Sequence, residues 1–185
     1  MTKTEARKLA KACRAAVDLH TVGHAMAGVL FTLPAWQHAD TVLAFASMPD
    51  EPDTADILRQ ALAEGKRLLL PRVLSRTEMD WVEITALSQL QPGAYGILEA
   101  PASLPAFDTA HLGDGALALI PCLAASPDGV RLGRGGGYYD RFLAHYKGRR
   151  LLVCPTAALL GDLLCEGWDV RFSPHEILTE KGILL

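Results

Sequence analysis

"ALALIPCL", residues 116–123, runs through "AASPD" into "GVRLGRGGGYYDRF", residues 129–142. The first segment is a nearly unbroken apolar run of strand length. A strand with one face in water alternates apolar and polar residues, whereas an unbroken run belongs to a strand covered on both faces. Working outward, "TVLAFASM" (41–48), "RLLLPRV" (67–73), "MDWVEIT" (79–85) and "RLLVCP" (150–155) read as further strands, several of them equally apolar. Segments of helical period lie between them. Strands alternating with helices in this way predict an α/β fold of three layers, with a mostly parallel central sheet and helices on both faces. At 185 residues and 50% hydrophobic composition, the chain is expected to form one domain over residues 1–185.

The flanking helices carry their own signals. Residues 4–18 place Ala6, Leu9, Ala10, Cys13, Ala16 and Val17 at helical spacing, with Thr2 or Thr4 as the cap and Lys3, Arg7, Lys11 and Arg14 on the opposite stripe. On spacing alone that stripe is a solvated face. A second apolar helix stops near Pro34. "DTADILRQALAEGK" (53–66) is a helix capped by Asp53 or Thr54 and closed by Gly65, and a helix from about Tyr138 to Tyr146 follows the glycines. "SRTE" (75–78) is a turn, and the Pro/Gly-rich passage 91–105, with "YGILEAP" at 95–101, is too interrupted for a helix. Trp81, in mid-strand, is expected in the core.

Composition excludes several classes. A formal net charge of −3 argues against a nucleic-acid binder, which carries a basic excess on at least one face, and points to a small-molecule partner. Cys13, Cys122, Cys154 and Cys165 are spaced for neither a metal site nor a disulfide scaffold and read as reduced thiols. The N-terminus lacks an apolar signal core and no run approaches the length of a membrane span. A cytoplasmic protein is expected, with a mitochondrial transit peptide the weaker reading of the basic start.

Gly129, Gly133, Gly135, Gly136 and Gly137 lead into a helix. Without Cβ atoms, backbone N–H groups can converge on an anion. The loop is not a dinucleotide fingerprint, because Tyr138 stands where the third glycine belongs and no acidic residue follows near Pro155; nor does it contain the G-K-[ST] of a P-loop. A solvated loop is the plain alternative. Its neighbours favour phosphate: Arg131 and Arg134 can pair with phosphate oxygens, and Asp140 is a hard ligand able to hold Mg²⁺ on the same phosphates. Of Tyr138 and Tyr139, adjacent on a helix, one is expected to turn into the core.

"RLGRGGGYYDR" (131–141) closely resembles the signature of the 5-formyltetrahydrofolate cyclo-ligase family. The order of features resembles the family as well: Lys3 and Arg7 four residues apart, "SMPDEPDT" after a strand, and the aromatic-Gly-Ile-x-Glu segment "YGILEA". The likeness covers most of residues 3–146. It implies a fold similar to that of sugar-phosphate isomerases and CoA transferases. It also implies an ATP- and Mg²⁺-dependent enzyme that closes 5-formyltetrahydrofolate to 5,10-methenyltetrahydrofolate, with ADP and phosphate as the other products. A monomer is expected, although the sequence itself does not give the oligomeric state. Carried onto this chain, the ATP site comprises Lys3, Arg7, Arg131, Leu132, Gly133, Arg134, Gly135, Gly136, Gly137, Tyr138 and Tyr139. The folate site comprises Glu51, Tyr95, Arg134, Gly135, Gly136, Gly137 and Tyr138, with Glu51 accepting pterin N–H groups and Tyr95 stacking. Asp140 is the metal ligand. His175 stands where the family carries an acidic second metal contact. Ala125 and Ser126 replace an aromatic or apolar residue followed by Asp, and segment 154–169 lacks the family's Gln and Pro landmarks. A non-catalytic homologue that binds folate or nucleotide is the alternative; an unrelated sugar-phosphate isomerase or acyl-CoA enzyme on a similar fold would ignore folate.

Overall fold

The computed structural model describes residues 1–93, 97–167 and 169–185. Its seven-stranded sheet has the order β11-β10-β9-β6-β1-β2-β3, with β1 (Thr41–Leu43), β2 (Arg67–Val73), β3 (Met79–Ile84), β6 (Ala116–Pro121), β9 (Arg149–Val153), β10 (Ile177–Thr179) and β11 (Gly182–Ile183). β1 pairs in parallel with β2 and β6, β6 with β9, and β9 with β10. β3 and β11 close the two edges antiparallel. "SRTE" is accordingly the turn of the β2–β3 hairpin. The sheet is mostly parallel, as the apolar runs predict.

Alternating side chains along these strands feed two cores. Leu43, Leu69, Ala118, Ile120, Leu152 and Ile177 pack on one face with Ala6 and Ala10 of α1 (Lys3–Ala15) and Leu143 of α5 (Tyr138–Leu143). Val42, Leu68, Leu117, Leu119, Leu151 and Leu178 pack on the other with α2 (Leu19–Thr32), α3 (Pro34–Gln37) and α4 (Ala55–Ala63). Helices therefore cover both faces and the layers number three. Trp81 is buried in the first core.

α1 begins at a capping box in which Thr2 Oγ1 accepts the Glu5 N–H and Glu5 Oε2 accepts the Thr2 N–H. Its buried face differs from the sequence expectation. Ala6, Ala10 and Arg14 are the buried residues, Lys3 and Arg7 are half-buried, and Leu9 is 43% exposed. Much of the basic stripe points inward, because the protein offers acceptors there.

Three elements are shorter than expected. β1 leaves the ladder after the Ala44 N–H, which still donates to Leu69 O at 2.9 Å; beyond it Thr54 takes over, its hydroxyl donating to Phe45 O at 2.7 Å and accepting the Ser47 N–H at 3.1 Å. β6 leaves its ladder after Pro121. α5 loosens after Leu143, and Tyr146 instead packs on Phe142 and donates its hydroxyl to Arg149 O. β4 (Gln91–Pro92) and β5 (Leu98–Glu99) form a separate ribbon, as do β7 (Ala124–Ala125) and β8 (Arg131–Leu132), which leads into the glycine loop. Ala125 is fully buried. Ser126 secures the turn of that ribbon by accepting the Val130 N–H and donating to Asp128. Among the described residues no helix is long and apolar enough to cross a membrane.

Candidate active site

The loops that follow β1 and β6 lie at the carboxyl ends of the parallel strands, where open α/β sheets collect ligands. The glycine loop stands there as a partition between two clefts. The first, about 490 Å³, is lined by Lys3, Arg7, Arg131, Leu132, Gly133, Gly135, Gly137, Asp140, Arg141, Glu166 and Asp169. The second, also about 490 Å³, is bounded by Glu51, Glu99, Arg134, Gly136, Tyr138, Tyr139 and the apolar side chains of Phe45, Met48, Leu70, Val73 and Met79. Arg131, Gly133, Gly135, Gly137 and Asp140 line both.

The loop conformation requires glycine at two points. Gly135 has φ +101° and Gly137, the residue before α5, has φ +68°, values that side chains rarely adopt. α1 delivers two cations to the first cleft. Arg7 Nε donates to Gly133 O at 3.1 Å. Lys3 Nζ lies 2.5 Å from Glu166 Oε2 and 3.0 Å from Asp169 Oδ2. Burial on its own would lower the Lys3 pKa, but these two carboxylates raise it above the ordinary lysine value. Arg131, nearly buried, donates to Asp140 Oδ1 at 2.6 Å and to Pro121 O at 3.2 Å, while its buried Nε has no partner among the described residues.

In the second cleft Glu51 is 8% exposed. Its Oε2 accepts the Met48 N–H at 3.0 Å and its Oε1 accepts from Arg134 Nη2 at 3.0 Å. Arg134 also pairs with Asp50 at 2.5 Å. Burial pushes the Asp50 carboxyl up, but the hydrogen bonds and charge of Arg134 bring it below the usual range. Reciprocally, the two carboxylates raise Arg134 against its own desolvation. Tyr139 is the tyrosine that turns inward, edge-on to Trp81 with centroids 6.4 Å apart, and burial pushes its phenol pKa up. Tyr138 stays at the surface and donates to Ser75 O at 2.7 Å. Desolvation likewise raises the Glu99 carboxyl.

Of the residues expected at the nucleotide site, Lys3, Arg7, Arg131, Leu132, Gly133, Gly135 and Gly137 converge on the first cleft. Arg134, Gly136, Tyr138 and Tyr139 line the second cleft and not the first. Arg134 faces that way because Asp50 and Glu51 attract it. Tyr95 lies outside the described residues. His175 is exposed on the turn before β10 and lines neither cleft. The acidic groups near the loop from the C-terminal part are instead Glu166 and Asp169, which sit in the segment that resembles the family least. Sequence reasoning missed them, and missed Arg141, whose Nη2 donates to Gly136 O at 2.7 Å. Their only signals were the acidic residues in "CEGWD" and the arginine that closes the signature.

The sequence model of the 5-formyltetrahydrofolate cyclo-ligase family matches residues 2–179. The chain belongs to the 5-formyltetrahydrofolate cyclo-ligase family. It is 30% identical over 154 residues to the 5-formyltetrahydrofolate cyclo-ligase of Escherichia coli (strain K12), which covers 80% of this chain and 84% of that protein. It is 29% identical over 152 residues to the protein of the same name from Mycolicibacterium smegmatis, covering 78% of this chain and 76% of that one. The structure superposes on the NMR structure of Aquifex aeolicus 5,10-methenyltetrahydrofolate synthetase with a TM-score of 0.83 and 26% identity, over 100% of this chain and 92% of the other. The family match continues past the signature through segment 154–169, so the cyclo-ligase family is the frame for both clefts.

Proposed function

We propose that the two clefts are the two substrate pockets of an ATP-dependent cyclo-ligase, the first for the phosphates of ATP and the second for 5-formyltetrahydrofolate. The enzyme converts 5-formyltetrahydrofolate to 5,10-methenyltetrahydrofolate, with ADP and phosphate released. One observation carries the reading: a single glycine loop is a wall of both clefts, so a phosphoryl group bound on one side lies next to an acceptor bound on the other. The formyl oxygen is a poor leaving group. Taking the γ-phosphoryl converts it into phosphate, after which the neighbouring folate nitrogen attacks the formyl carbon, the C–N bond closes and phosphate departs.

Such chemistry demands alignment and charge neutralisation more than covalent help from the protein. Arg7, Arg131 and the loop N–H groups would hold the phosphates, and Lys3 would join them once it exchanges Glu166 or Asp169 for a phosphate oxygen. Glu51, beside the apolar side chains of Phe45, Met48 and Leu70, would accept N–H groups of the aminopyrimidine edge at Oε1, the oxygen that faces the cleft. Among the described residues no three His, Cys, Asp or Glu side chains converge as a metal cluster. Mg²⁺ is commonly held by one or two carboxylates together with substrate phosphates, and Asp140, present in both clefts, is the residue that would hold it. Bound there, the ion would neutralise charge on the transferring group.

The test is the appearance of the methenyl chromophore when protein, ATP, Mg²⁺ and 5-formyltetrahydrofolate are mixed. ATP-dependent formation is expected. Folate and ATP binding without turnover would mean a non-catalytic homologue.

A further inference from the structure

Arg14 lies two turns beyond Arg7 on the inward face of α1 and is 1% exposed. Among the described residues it forms no ion pair with a carboxylate. Its guanidinium is spent on three main-chain carbonyls: Nε donates to Leu123 O at 2.8 Å, Nη1 to Asp50 O at 2.6 Å and Nη2 to Cys122 O. Cys122 and Leu123 are where β6 leaves the sheet for the glycine loop. Asp50 O belongs to the peptide bond that enters Glu51.

That peptide is gripped on both sides. Arg14 holds its carbonyl, and the Glu51 N–H donates to Met48 O at 2.9 Å. With Oε2 occupied by the Met48 N–H, the whole turn is braced so that Oε1 faces Arg134 and the cleft. Arg134 touches the turn from the cleft side. Arg14 touches it from behind, from within the core. Its acceptors are main-chain carbonyls, so it fixes the turn without occupying an oxygen of the Glu51 carboxylate.

We propose that Arg14 is a positioning residue for the known reaction: it locks the Glu51 turn to the root of the glycine loop and so sets the distance between the folate contact and the phosphate-binding wall. The inference rests on the second cleft being the folate pocket. A planar fork is needed to serve three carbonyls at once, and lysine offers only a point charge with rotatable donors.

The experiment compares Arg14→Lys, Arg14→Gln, Glu51→Gln and the double variant Arg14→Lys/Glu51→Gln, measuring KM for 5-formyltetrahydrofolate, KM for ATP, kcat and Tm. Arg14→Lys is expected to raise the folate KM about tenfold or more, the effect of losing one charge-assisted hydrogen bond, with the ATP KM unchanged. In the Glu51→Gln background it should add little, since residues that act through one contact are not additive. A purely structural role would lower the folded fraction, and hence kcat and Tm, with both KM values preserved; that pattern overturns the proposal. Arg14→Gln keeps two N–H donors and gives the same reading where the lysine variant does not fold. Failure of both to fold makes Arg14 a core residue only and also overturns it. If Glu51→Gln leaves the folate KM unchanged, the cleft assignment itself fails; if Glu51→Gln raises it and Arg14→Lys does not, only the present inference falls.

Discussion

Arg134 illustrates how an arginine in a glycine loop is aimed by the carboxylates nearest to it. It is bound to Asp50 and Glu51 and lines only the second cleft. Arg134→Ala should therefore raise the KM for 5-formyltetrahydrofolate, by about 1.5–3 kcal/mol of lost binding if the guanidinium contacts the ligand, and leave the ATP KM as it was. Steady-state kinetics with each substrate varied in turn decides, and an effect confined to ATP would return Arg134 to the first cleft. Asp140, proposed above as the Mg²⁺ ligand, already neutralises the nearly buried Arg131 through its Oδ1. Asp140→Asn keeps the shape and loses the charge. It should lower unfolding stability by about 1.5–3 kcal/mol, the size of a hydrogen bond to a charged group, and also raise the Mg²⁺ concentration needed for half-maximal rate. Denaturant unfolding measures the first effect and a magnesium titration the second. Lower stability with unaltered magnesium dependence would leave Asp140 as the partner of Arg131 and nothing more.

At the scale of elements, the glycine loop works because it is backbone with almost no side chains, held between β8 and α5. Gly137 takes φ +68°, and a Cβ there would meet Arg141 Nη1 at 2.6 Å. Gly137→Ala should thus cost about 1–3 kcal/mol, the usual strain of a side chain in a sparsely populated backbone region, and weaken ATP binding more than folate binding because Arg141 belongs to the first cleft alone of these two. Thermal unfolding and isothermal titration with each ligand check both halves. α1 makes the complementary point. The helix and its cap are legible in the heptapeptide "MTKTEAR", but its orientation is not: a basic stripe that reads as solvated meets carbonyls of the loops that follow β1 and β6 and the carboxylates of Glu166 and Asp169. Periodicity reports which residues share a face. It does not report what waits opposite that face.

For the molecule as a whole, two clefts sharing one wall predict separable but linked stabilisation by ligands. A non-hydrolysable ATP analogue at about 100 times its Kd should stabilise the fold by about 2.7 kcal/mol, several degrees in Tm at this chain length. Arg7→Ala should lose most of that shift while keeping the shift caused by 5-formyltetrahydrofolate, and differential scanning calorimetry with each ligand reads the difference. Loss of both shifts together would mean that the clefts are not separate pockets. The layered, mostly parallel sheet was legible in the chain because strands covered on both faces must be apolar throughout, and "ALALIPCL" and "RLLL" can be little else. The glycine loop as a wall of both clefts was legible because only a glycine run leaves backbone so accessible, and the inward turn of one tyrosine follows from helical geometry. Tertiary structure alone decided that Arg134 faces Glu51, that His175 stays at the surface, and that Glu166 and Asp169 reach Lys3 from more than 160 residues away. It alone decided that Arg14 is buried behind the Glu51 turn. Local patterns arise from steric and hydrophobic constraints between near neighbours, whereas the partner of a charge is chosen by whichever opposite charge or carbonyl the folded chain brings within about 3 Å, the reach of a hydrogen bond.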